Sequence, residues 1–500
     1  MTRPFSFEVR ETDMMGRVGV MTVGKRRFET PCLTPVIHPV WRDIPLSQFK
    51  AMGFDILMTN SYILYKRRRS EALEKGLHEL IGFDGVLMTD SGGYQVLEYG
   101  DTEFTPDEIA KFQSEIGSDL AVTLDQPTGY SNSRSYARGT MGASLRAAED
   151  TISRFGESDT TWVGPIQGGV FGDLVRHSAR SLVKAGFQVL ALGSPVELME
   201  GYLFSPLVEM IVNARRSMPY STPLHLFGAG HPLTLPLSVA LGCDTFDSAS
   251  YMLYAKKERY MTERGTLQLE RMTYLPCSCA VCNGTTVNDL RASPREERVR
   301  KIALHNLHVL RADVLRCKEA IYEGRLWDLV EERAMTHTSS AVAFRALIRD
   351  HSEWLAKPTS LLKLRGLMVR SEEDTKRPEL AVARRHLERL MAKKRPERRK
   401  TAVLVPSSAA PPLTKSSGKI RHVKDLDKAD IYRINPQLGP YPAELEFVFP
   451  FAQTISDRVA PEASPEACVK KLKKMGYAKV VVAGPAKGAG PKSRGSKRRL

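Results

Sequence analysis

The chain has 500 residues, of which 42% are hydrophobic, so it is too long for one ordinary domain and apolar enough to bury a sizeable core. Its formal net charge of +16 favours a polyanionic partner, most often nucleic acid. The sequence has no run of eighteen apolar residues and no signal-peptide pattern, which argues against a membrane protein and predicts a soluble, cytoplasmic one.

Short apolar runs recur along the first half of the chain, each followed by a polar or glycine-rich turn and a helical pattern. Buried strands that alternate with helices indicate a parallel sheet. Eight repeats over roughly 250 residues predict a (β/α)8 barrel. A doubly wound open sheet is the competing fold, but no GxGxxG fingerprint follows the first strand. The eight runs are CLTPVIHP, ILMTNSY, VLMTDSGGYQ, LAVTLDQP, WVGPIQGG, FQVLALGS, PLHLFGAG and CDTFDS.

Composition divides the rest of the chain. The VPSSAAPPLTKSSG stretch has the Pro, Ser and Ala content of a linker, and the final residues are rich in Gly, Pro, Lys and Arg. We therefore expect a catalytic barrel over 1–355 with a metal-binding subdomain at about 270–330, a basic helical extension over 356–404, a linker over 405–418, a small α+β domain over 419–484 and a basic disordered tail over 485–500.

The predicted strands end in carboxylates, amides and glycines, and a barrel places its active site at these carboxyl ends. Asp90, Asp125 and Asp247 each end such a run, beside the SGGYQ and IQGG turns. A single aspartate there is often only a helix N-cap, but three on one rim favour an active site. Two carboxylates that face one anomeric carbon suit retaining glycosyl transfer, and a third beside the Gln167 amide suits a guanine edge. The residues alone leave open which carboxylate does which.

A cysteine cluster predicts a metal site. Cys277, Cys279 and Cys282 lie within six positions, and the odd total of seven cysteines argues against a disulfide framework. The helix that begins near residue 294 offers His305 as a fourth ligand, with His308 one turn later as the alternate. Four protein ligands would hold one Zn²⁺ in a closed tetrahedral site, which stabilises a fold and leaves no position for water.

Several motifs resemble the tRNA-guanine transglycosylase family, in particular its archaeal branch, the archaeosine-type 7-cyano-7-deazaguanine tRNA-ribosyltransferases. The resemblance extends from about Phe7 to Val309 and implies a pentosyltransferase with a modified (β/α)8 barrel and a structural zinc. The motifs are MTDSGGYQV, FQSEIGSDLAVTLDQPT, IQGG, ALGSPVELME, HLFGAGHP, FDSASYMLYAKKERYMT and CSCAVC with the later LHNL.

The resemblance assigns a role to each matching residue. Asp247 in FDS would attack C1′ of the target ribose and expel guanine, which leaves a covalent tRNA–enzyme intermediate. Asp90 in TDSGG would be the general acid/base that removes a proton from the incoming base. The zinc ligands would be Cys277, Cys279, Cys282 and His305. The substrate-binding residues would be Ser91, Tyr94, Asp125, Gln167, Gly168, Gly193 and Val196, with Tyr94 stacked on the base.

The branch implies the substrate. Bacterial members carry an FDCV-type motif with a following PTR and act on the wobble position, whereas FDSASYMLYAK here is similar to the archaeal type. Archaeal members exchange guanine at position 15 of the tRNA D-loop for 7-cyano-7-deazaguanine (preQ0), on the path to archaeosine. They end in a PUA domain, but no convincing PUA pattern follows Gly418. We expect either a PUA-bearing protein in trans or phosphate contacts by the basic tail, and a homodimer formed through the zinc region.

Two other functions compete with this one. One is exchange of queuine or preQ1 at the wobble position. The other is a non-catalytic tRNA-binding partner subunit that has lost its nucleophile, which the presence of Asp90, Asp247 and the metal ligands disfavours. A zinc-stabilised RNA-binding barrel would explain the charge but not the rim of carboxylates.

Overall fold

A computed structural model of the chain describes residues 5–41, 43–93, 104–131, 133–359, 363, 365–393, 401–405 and 429–483. The chain divides into two compact units, Met1–Asp350 and His351–Leu500. Except for Val405, the predicted linker at 405–418 lies outside the described residues, as does the predicted tail at 485–500. No helix in the described ranges is long and apolar enough to cross a membrane.

An antiparallel sheet opens the first unit. Its strands β1 (Phe5–Asp13), β2 (Gly16–Val23) and β3 (Arg26–Thr30) are joined by tight turns and pair in chain order. One face of the sheet is apolar and packs into the next layer, as expected for an antiparallel sheet that covers a core.

The predicted (β/α)8 barrel is confirmed. Among the described residues, eight parallel strands form one sheet in the order β4-β11-β10-β9-β8-β7-β6-β5. Each strand coincides with one of the eight apolar runs, and only β8 begins outside its run, one residue before it. A bridge between Val36 and Met58 brings the two edge strands together, and the Ile37 amide donates to the Met58 carbonyl at 2.8 Å. The strands are β4 (Cys32–Pro35), β5 (Ile56–Asn60), β6 (Val86–Asp90), β7 (Leu120–Val122), β8 (Thr161–Ile166), β9 (Val189–Leu192), β10 (Leu224–Leu226) and β11 (Thr245–Ser248).

Helices follow the strands, and polar residues at their starts satisfy the first amides. The Asn60 side chain accepts from the Ile63 amide, and Thr105 with Glu108 forms a capping box. The helices are α1 (Leu46–Ala51), α2 (Ser61–Lys75), α3 (Leu77–Ile81), α4 (Pro106–Glu115), α5 (Arg134–Phe155), α6 (Gly172–Lys184), α7 (Val196–Glu200), α8 (Phe204–Arg215), α9 (Leu235–Ala240) and α10 (Ser250–Lys256).

The barrel interior is filled at the end where the strands begin. Ile56, Val86 and Leu120 point inward from the first positions of β5, β6 and β7, and Met21 and Phe28 of the antiparallel sheet join the same buried cluster. The antiparallel sheet therefore closes the amino end of the barrel, and the carboxyl ends of the strands are left to form a site.

The barrel is followed by a hairpin and a group of helices. The long helix α12 packs against α10, the hairpin and strands β1, β2 and β4. These elements are β12 (Arg259–Thr262), β13 (Gly265–Gln268), α11 (Val287–Ala292), α12 (Arg295–Tyr322), α13 (Leu326–Ala334) and α14 (Thr338–Leu355), the last of which runs across the boundary between the units.

The second unit contains two small sheets and its own apolar core. Strand β14 pairs with β18, and a second sheet has the order β17-β16-β15-β19. The segment over 356–404 was expected to be a basic helical extension, but it contributes β15 to the sheet formed by strands of the module expected over 419–484. Because β15 is buried, its backbone groups need hydrogen-bond partners on both edges, which β16 and β19 provide. The elements are β14 (Leu367–Val369), α15 (Pro378–Lys393), β15 (Thr401–Val405), β16 (Ala429–Asn435), β17 (Gly439–Pro442), β18 (Thr454–Ser456), α16 (Pro465–Lys474) and β19 (Lys479–Val482).

A buried ion pair joins the antiparallel sheet to the barrel. Arg17 on β2 donates from Nε and Nη2 to the two Asp244 oxygens, both at 2.7 Å, and Asp244 immediately precedes β11. Both side chains are almost fully buried, and Asp244 also accepts from the Leu224 amide at 2.8 Å. Removal of one partner would leave the other charge buried without compensation.

Asp244→Asn therefore lowers the free energy of unfolding of the first unit by about 3–5 kcal/mol, because the Arg17 charge stays buried. Differential scanning calorimetry at neutral pH measures the loss. Asp84→Asn is the matched control, since Asp84 forms an exposed ion pair with Lys50, and its melting temperature stays close to that of the wild type. Equal melting temperatures for the two variants would contradict the structural role of Asp244.

Candidate active site

The carboxyl ends of the barrel strands line a cavity of about 770 Å³. Of the residues predicted from the sequence, the cavity wall includes Asp90, Asp125, Gly193, Val196 and Asp247. The structure thus brings the three predicted carboxylates to one cavity. Ser91, Gln167 and Gly168 are buried just outside its wall, and Tyr94 lies outside the described residues.

Asp247 is the penultimate residue of β11, and two donors hold its carboxylate. The Gly228 amide donates to Oδ1 at 2.8 Å, and Nε2 of His225 lies 3.1 Å from the same oxygen. Nδ1 of His225 lies 2.8 Å from the Thr245 hydroxyl, so an Nε2–H tautomer satisfies both contacts. The next helix has Ala249 at its N-cap, so Asp247 is not a helix cap. Its carboxylate is held in place yet faces the cavity.

His225 was missed by the sequence analysis. It is 1% exposed and lies in the middle of the three-residue strand β10. A polar residue between two buried leucines was the available signal, because an imidazole in such a strand needs partners for both nitrogens.

Asp90 ends β6 beside Asn60, which ends the neighbouring strand β5. The Asn60 amide donates to Asp90 Oδ2 at 2.9 Å. Burial raises the pKa of Asp90, and the negative charges of Asp125 and Asp247 raise it further, to about 7; hydrogen bonds from the Gly92 backbone and Asn60 oppose the shift. Asp90 can therefore both release and accept a proton near neutral pH.

Asp125 follows β7 and is paired with Gln167, which follows β8. Nε2 of Gln167 donates to Asp125 Oδ2 at 2.5 Å. Burial raises the pKa of Asp125 to about 6, and the bond from Gln167 opposes this shift. The helix after Asp125 is capped by Ser133, so Asp125 is not a helix cap either. The pair offers acceptor oxygens beside an amide whose orientation is fixed.

The orientation of the Gln167 amide follows from its partners. Its Oε1 accepts from the Thr128 amide at 3.1 Å, the Thr128 hydroxyl at 3.0 Å and the Ser194 hydroxyl at 3.0 Å. A side chain at Gly193 would place its Cβ 2.2 Å from Gln167 Nε2, so the glycine is needed for this contact. The amide is thus oriented with its nitrogen towards Asp125.

Two of the predicted substrate-binding residues have internal contacts. The Ser91 hydroxyl donates to the Thr123 carbonyl at 3.4 Å, and Ser91 is fully buried. Gly168 has φ +142, and a Cβ there would lie 2.7 Å from the Val175 amide nitrogen on α6. Both positions are explained by packing of the barrel behind the cavity wall.

A second cluster lies in the region after the barrel. The ligand atoms of Cys277, Cys279, Cys282 and His305 all lie within 4.8 Å of one another, so these groups can hold one metal ion. His305 Nδ1 lies 3.4 Å from Cys282 Sγ and 3.6 Å from Cys279 Sγ. Of the two histidines that the sequence offered, the structure places His305, and not His308, with the thiols.

Two residues around the cluster, Met261 and Tyr260, fix its geometry. His305 Nε2 donates to the Met261 carbonyl at 2.8 Å, which leaves the Nδ1 lone pair for a metal. The buried Tyr260 ring stacks on His305 with centroids 3.6 Å apart, and its hydroxyl lies 3.2 Å from Cys282 Sγ. The sequence analysis missed Tyr260, which carries no local signal because it lies on β12, far along the chain from His305.

Asn306 ties the metal cluster to the barrel and was missed as well. Its Oδ1 accepts from the Met261 amide at 2.9 Å, and its Nδ2 donates to the Tyr251 and Arg259 carbonyls at 3.1 and 3.2 Å. Tyr251 lies on α10, four residues after Asp247, and its hydroxyl donates to the Val36 carbonyl at 2.9 Å. The segment after Asp247 is therefore held from the metal cluster on one side and from the barrel on the other.

The chain is similar to proteins of a known family. A family model described as queuine tRNA-ribosyltransferase matches residues 13–339. The chain is 43% identical over 378 residues to a protein of Aeropyrum pernix, a match that covers 75% of this chain and 73% of the relative. It is 35% identical over 454 residues to a protein of Sulfolobus acidocaldarius (90% and 88% covered) and 36% identical over 478 residues to one of Haloarcula marismortui (94% and 92% covered).

All three relatives are named tRNA-guanine(15) transglycosylase. The family model spans the whole barrel and the metal cluster, and the resemblance inferred from the sequence motifs is confirmed. The chain belongs to the queuine tRNA-ribosyltransferase family.

Proposed function

We propose that the protein is a tRNA-guanine transglycosylase that exchanges guanine at position 15 of the D-loop for preQ0, in archaeosine biosynthesis. The observation that carries this proposal is the meeting of Asp90, Asp125 and Asp247 in one cavity of a barrel that belongs to this family. The names of the archaeal relatives support position 15 over the wobble position.

Asp247 is the proposed nucleophile. Its carboxylate forms a bond to C1′ of the ribose while the C1′–N9 bond breaks, and guanine leaves with the electron pair of that bond. Because Gly228 and His225 both donate to Oδ1, the other oxygen is the one available for attack. The carboxylate also stabilises the positive charge that develops on the sugar in the transition state.

Asp90 is the proposed general acid/base. In its protonated form it donates a proton to the leaving guanine, and in its ionised form it accepts one from the incoming base, which then attacks C1′ and releases Asp247. A pKa of about 7 suits both steps. The Asn60 hydrogen bond holds the carboxyl group in one orientation for both transfers.

Asp125 and Gln167 are the proposed base-binding pair. The N1–H and the 2-amino group of guanine are donors, and the carboxylate oxygens of Asp125 are acceptors. The Gln167 amide donates to one of these oxygens and so sets the plane in which the base would lie. Gly193 and Val196 form the adjacent wall of the cavity. The target nucleotide must leave its tRNA fold to enter, as in other enzymes that act on a base.

Incubation with tRNA and radiolabelled guanine, followed by mapping of the label, tests the proposed function. The wild type labels position 15, and Asp247→Asn labels nothing, because an amide cannot form the ester to C1′. Asp84→Asn, whose side chain is exposed on the outer surface, labels as the wild type does. Label at the wobble position would contradict the proposal, and retained tRNA without any label would mean a binding subunit.

The raised pKa of Asp90 predicts that the rate of the second half-reaction depends on pH. In the covalent intermediate Asp247 is esterified and uncharged, so one cause of the raised pKa of Asp90 is absent. The midpoint of the Asp90 titration therefore falls below about 7 in this state. The rate of the second half-reaction rises with pH up to that midpoint and is flat above it, because the ionised form accepts the proton. Rapid-quench measurement of the rate at which the incoming base is incorporated, between pH 5 and 9, gives this pH profile.

Asn60→Ala moves this midpoint to higher pH, since the amide hydrogen bond that lowers the pKa of Asp90 is lost. Asn288→Ala, at an exposed position on α11, leaves the profile unchanged. A profile for Asn60→Ala that coincides with the wild type would contradict the assignment of the titration to Asp90.

We further propose that the metal is Zn²⁺ and that its role is structural. Three thiolates and one imidazole nitrogen are the donor set that favours Zn²⁺ in a closed tetrahedral site. With all four positions filled by the protein, the ion contributes to folding. The chain itself positions the ligands: Met261 sets the His305 tautomer, and Tyr260 packs on the His305 ring.

Tyr260→Phe tests the metal environment, because it deletes the hydroxyl beside the Cys282 sulfur and keeps the ring stacked on His305. We expect zinc release to a colorimetric chelator to be about 10-fold faster than from the wild type. Tyr274→Phe is the control, since Tyr274 is 81% exposed. Identical release from Tyr260→Phe and the wild type would show that the hydroxyl does not support the metal site.

We also propose the remaining partners, which are tRNA, a second copy of the chain and a PUA domain. A cytoplasmic tRNA-modifying enzyme with a net charge of +16 is suited to bind the phosphates of its substrate. A homodimer through the metal-binding region and a PUA domain supplied in trans stay predictions.

A further inference from the structure

The cavity extends beyond the three carboxylates. Its volume of about 770 Å³ lies in the upper part of the range for small-molecule sites, roughly 300–1,000 Å³, so it has room for more than one extruded base. Another part of its wall comes from the segment between β4 and α1 and from the end of α10. This part carries aromatic and cationic side chains, namely His38, Trp41, Lys256 and Lys257.

Trp41 is unusual among the tryptophans of this chain. All four lie in the described residues, and Trp41 is 68% exposed while the other three are buried (Trp162, Trp327 and Trp354). One face of the Trp41 indole stacks on the His38 ring, with centroids 4.6 Å apart and an interplanar angle of 21°. The exposed indole contributes to the wall of the cavity.

His38 holds this segment in place. Its Nδ1 accepts from the Trp41 amide at 3.1 Å and from the Val40 amide at 3.2 Å. Burial lowers the pKa of His38, and the nearby positive charge of Lys256 lowers it further, so the ring is neutral at pH 7 and Nδ1 can accept both bonds. The indole is thus presented on an ordered turn, which reduces the entropy lost when a ligand stacks on it.

Cations lie beside the same segment. Lys256 Nζ is 3.8 Å from Asp43 Oδ2, two residues after Trp41, and about half of each side chain is exposed. Lys257 is exposed and also lines the cavity. An exposed ring in a cavity wall that also carries two lysines suits a nucleotide, whose base stacks and whose phosphate pairs with cations.

We propose that Trp41 is a stacking platform for the nucleobase adjacent to the extruded one in the RNA chain, with Lys256 and Lys257 facing the connecting phosphate. The inference rests on the proposed function, because it requires a flipped nucleotide in the same cavity. Every base has a π-face, so the platform tolerates any base at this position. It anchors the strand on one side of the target and thereby keeps the extruded nucleotide in the cavity.

Steady-state exchange of radiolabelled guanine into tRNA separates this role from the chemistry. Trp41→Ala raises KM for tRNA about 5- to 100-fold, the effect of losing one stacked base, and leaves kcat and KM for guanine near the wild-type values. Trp41→Phe, which keeps an aromatic face, restores most of the affinity. Tyr274→Ala removes an even more exposed ring outside the cavity and leaves KM for tRNA unchanged.

Tryptophan fluorescence tests the contact directly, because Trp41 is the tryptophan that a solution quencher reaches. Time-resolved quenching by acrylamide decreases when tRNA saturates the wild type, and Trp41→Phe shows no such decrease. Labelled tRNA reports saturation in the same samples by its anisotropy.

Three results would overturn the proposal. One is full quenching of Trp41 fluorescence although the protein is saturated with tRNA. Another is a KM for tRNA of Trp41→Ala that equals the wild-type value. The third is protection of Trp41 without tRNA that rises with protein concentration, since a second copy of the chain would then cover it. A wild type that binds tRNA but exchanges no guanine refutes the proposed function instead, and the quenching measurement still decides whether RNA covers Trp41.

Discussion

Three carboxyl groups meet in one cavity, and burial there disfavours the ionised forms of two of them, Asp90 and Asp125. Parallel strands of a barrel end on the same side, so Asp90, Asp125 and Asp247 converge there. Burial and mutual repulsion raise the pKa of Asp90 to about 7 and burial raises that of Asp125 to about 6. Between pH 4 and 7 the folded state therefore binds more protons than the unfolded state, and these groups destabilise the fold as pH rises.

Such a site is stabilised by what it binds. A sugar that gains positive charge in the transition state is favoured by the same field that disfavours three carboxylates in the free enzyme. The surrounding hydrogen bonds keep the groups from turning away from one another: His225 holds Asp247, Asn60 holds Asp90 and Gln167 holds Asp125. The closed amino end of the barrel, pinned by the ion pair before β11, gives these contacts a rigid base.

The metal cluster acts at a distance on the same site. His305 joins the cluster to α12, and Asn306 on that helix holds the Tyr251 carbonyl on α10. Since α10 begins three residues after Asp247, the cluster limits the positions that this proposed nucleophile can adopt. In the structural role proposed above, the ion would stabilise the geometry of the site and would take no part in the bonds of the reaction.

Much of this could be predicted from the sequence because two signals are local. Buried parallel strands are nearly continuous apolar runs, so all eight were found, and metal-ligand spacing is visible within six residues at Cys277–Cys282. Contacts between distant segments were not visible. His305 and His308 lie one helical turn apart, and only the packing of α12 against β12 decides between them. His225 and Tyr260 were not predicted for the same reason, since their partners are 20 or more residues away along the chain.

Identification of the covalent intermediate is the most direct test of Asp247 as the nucleophile. Wild-type protein is mixed with tRNA without an acceptor base, quenched in denaturant, digested with nuclease and protease, and analysed by mass spectrometry. We expect a ribosyl adduct on the peptide that contains Asp247, at the carboxylate held by His225 and Gly228. An adduct on Asp90 or Asp125, or guanine release without any adduct, would contradict it.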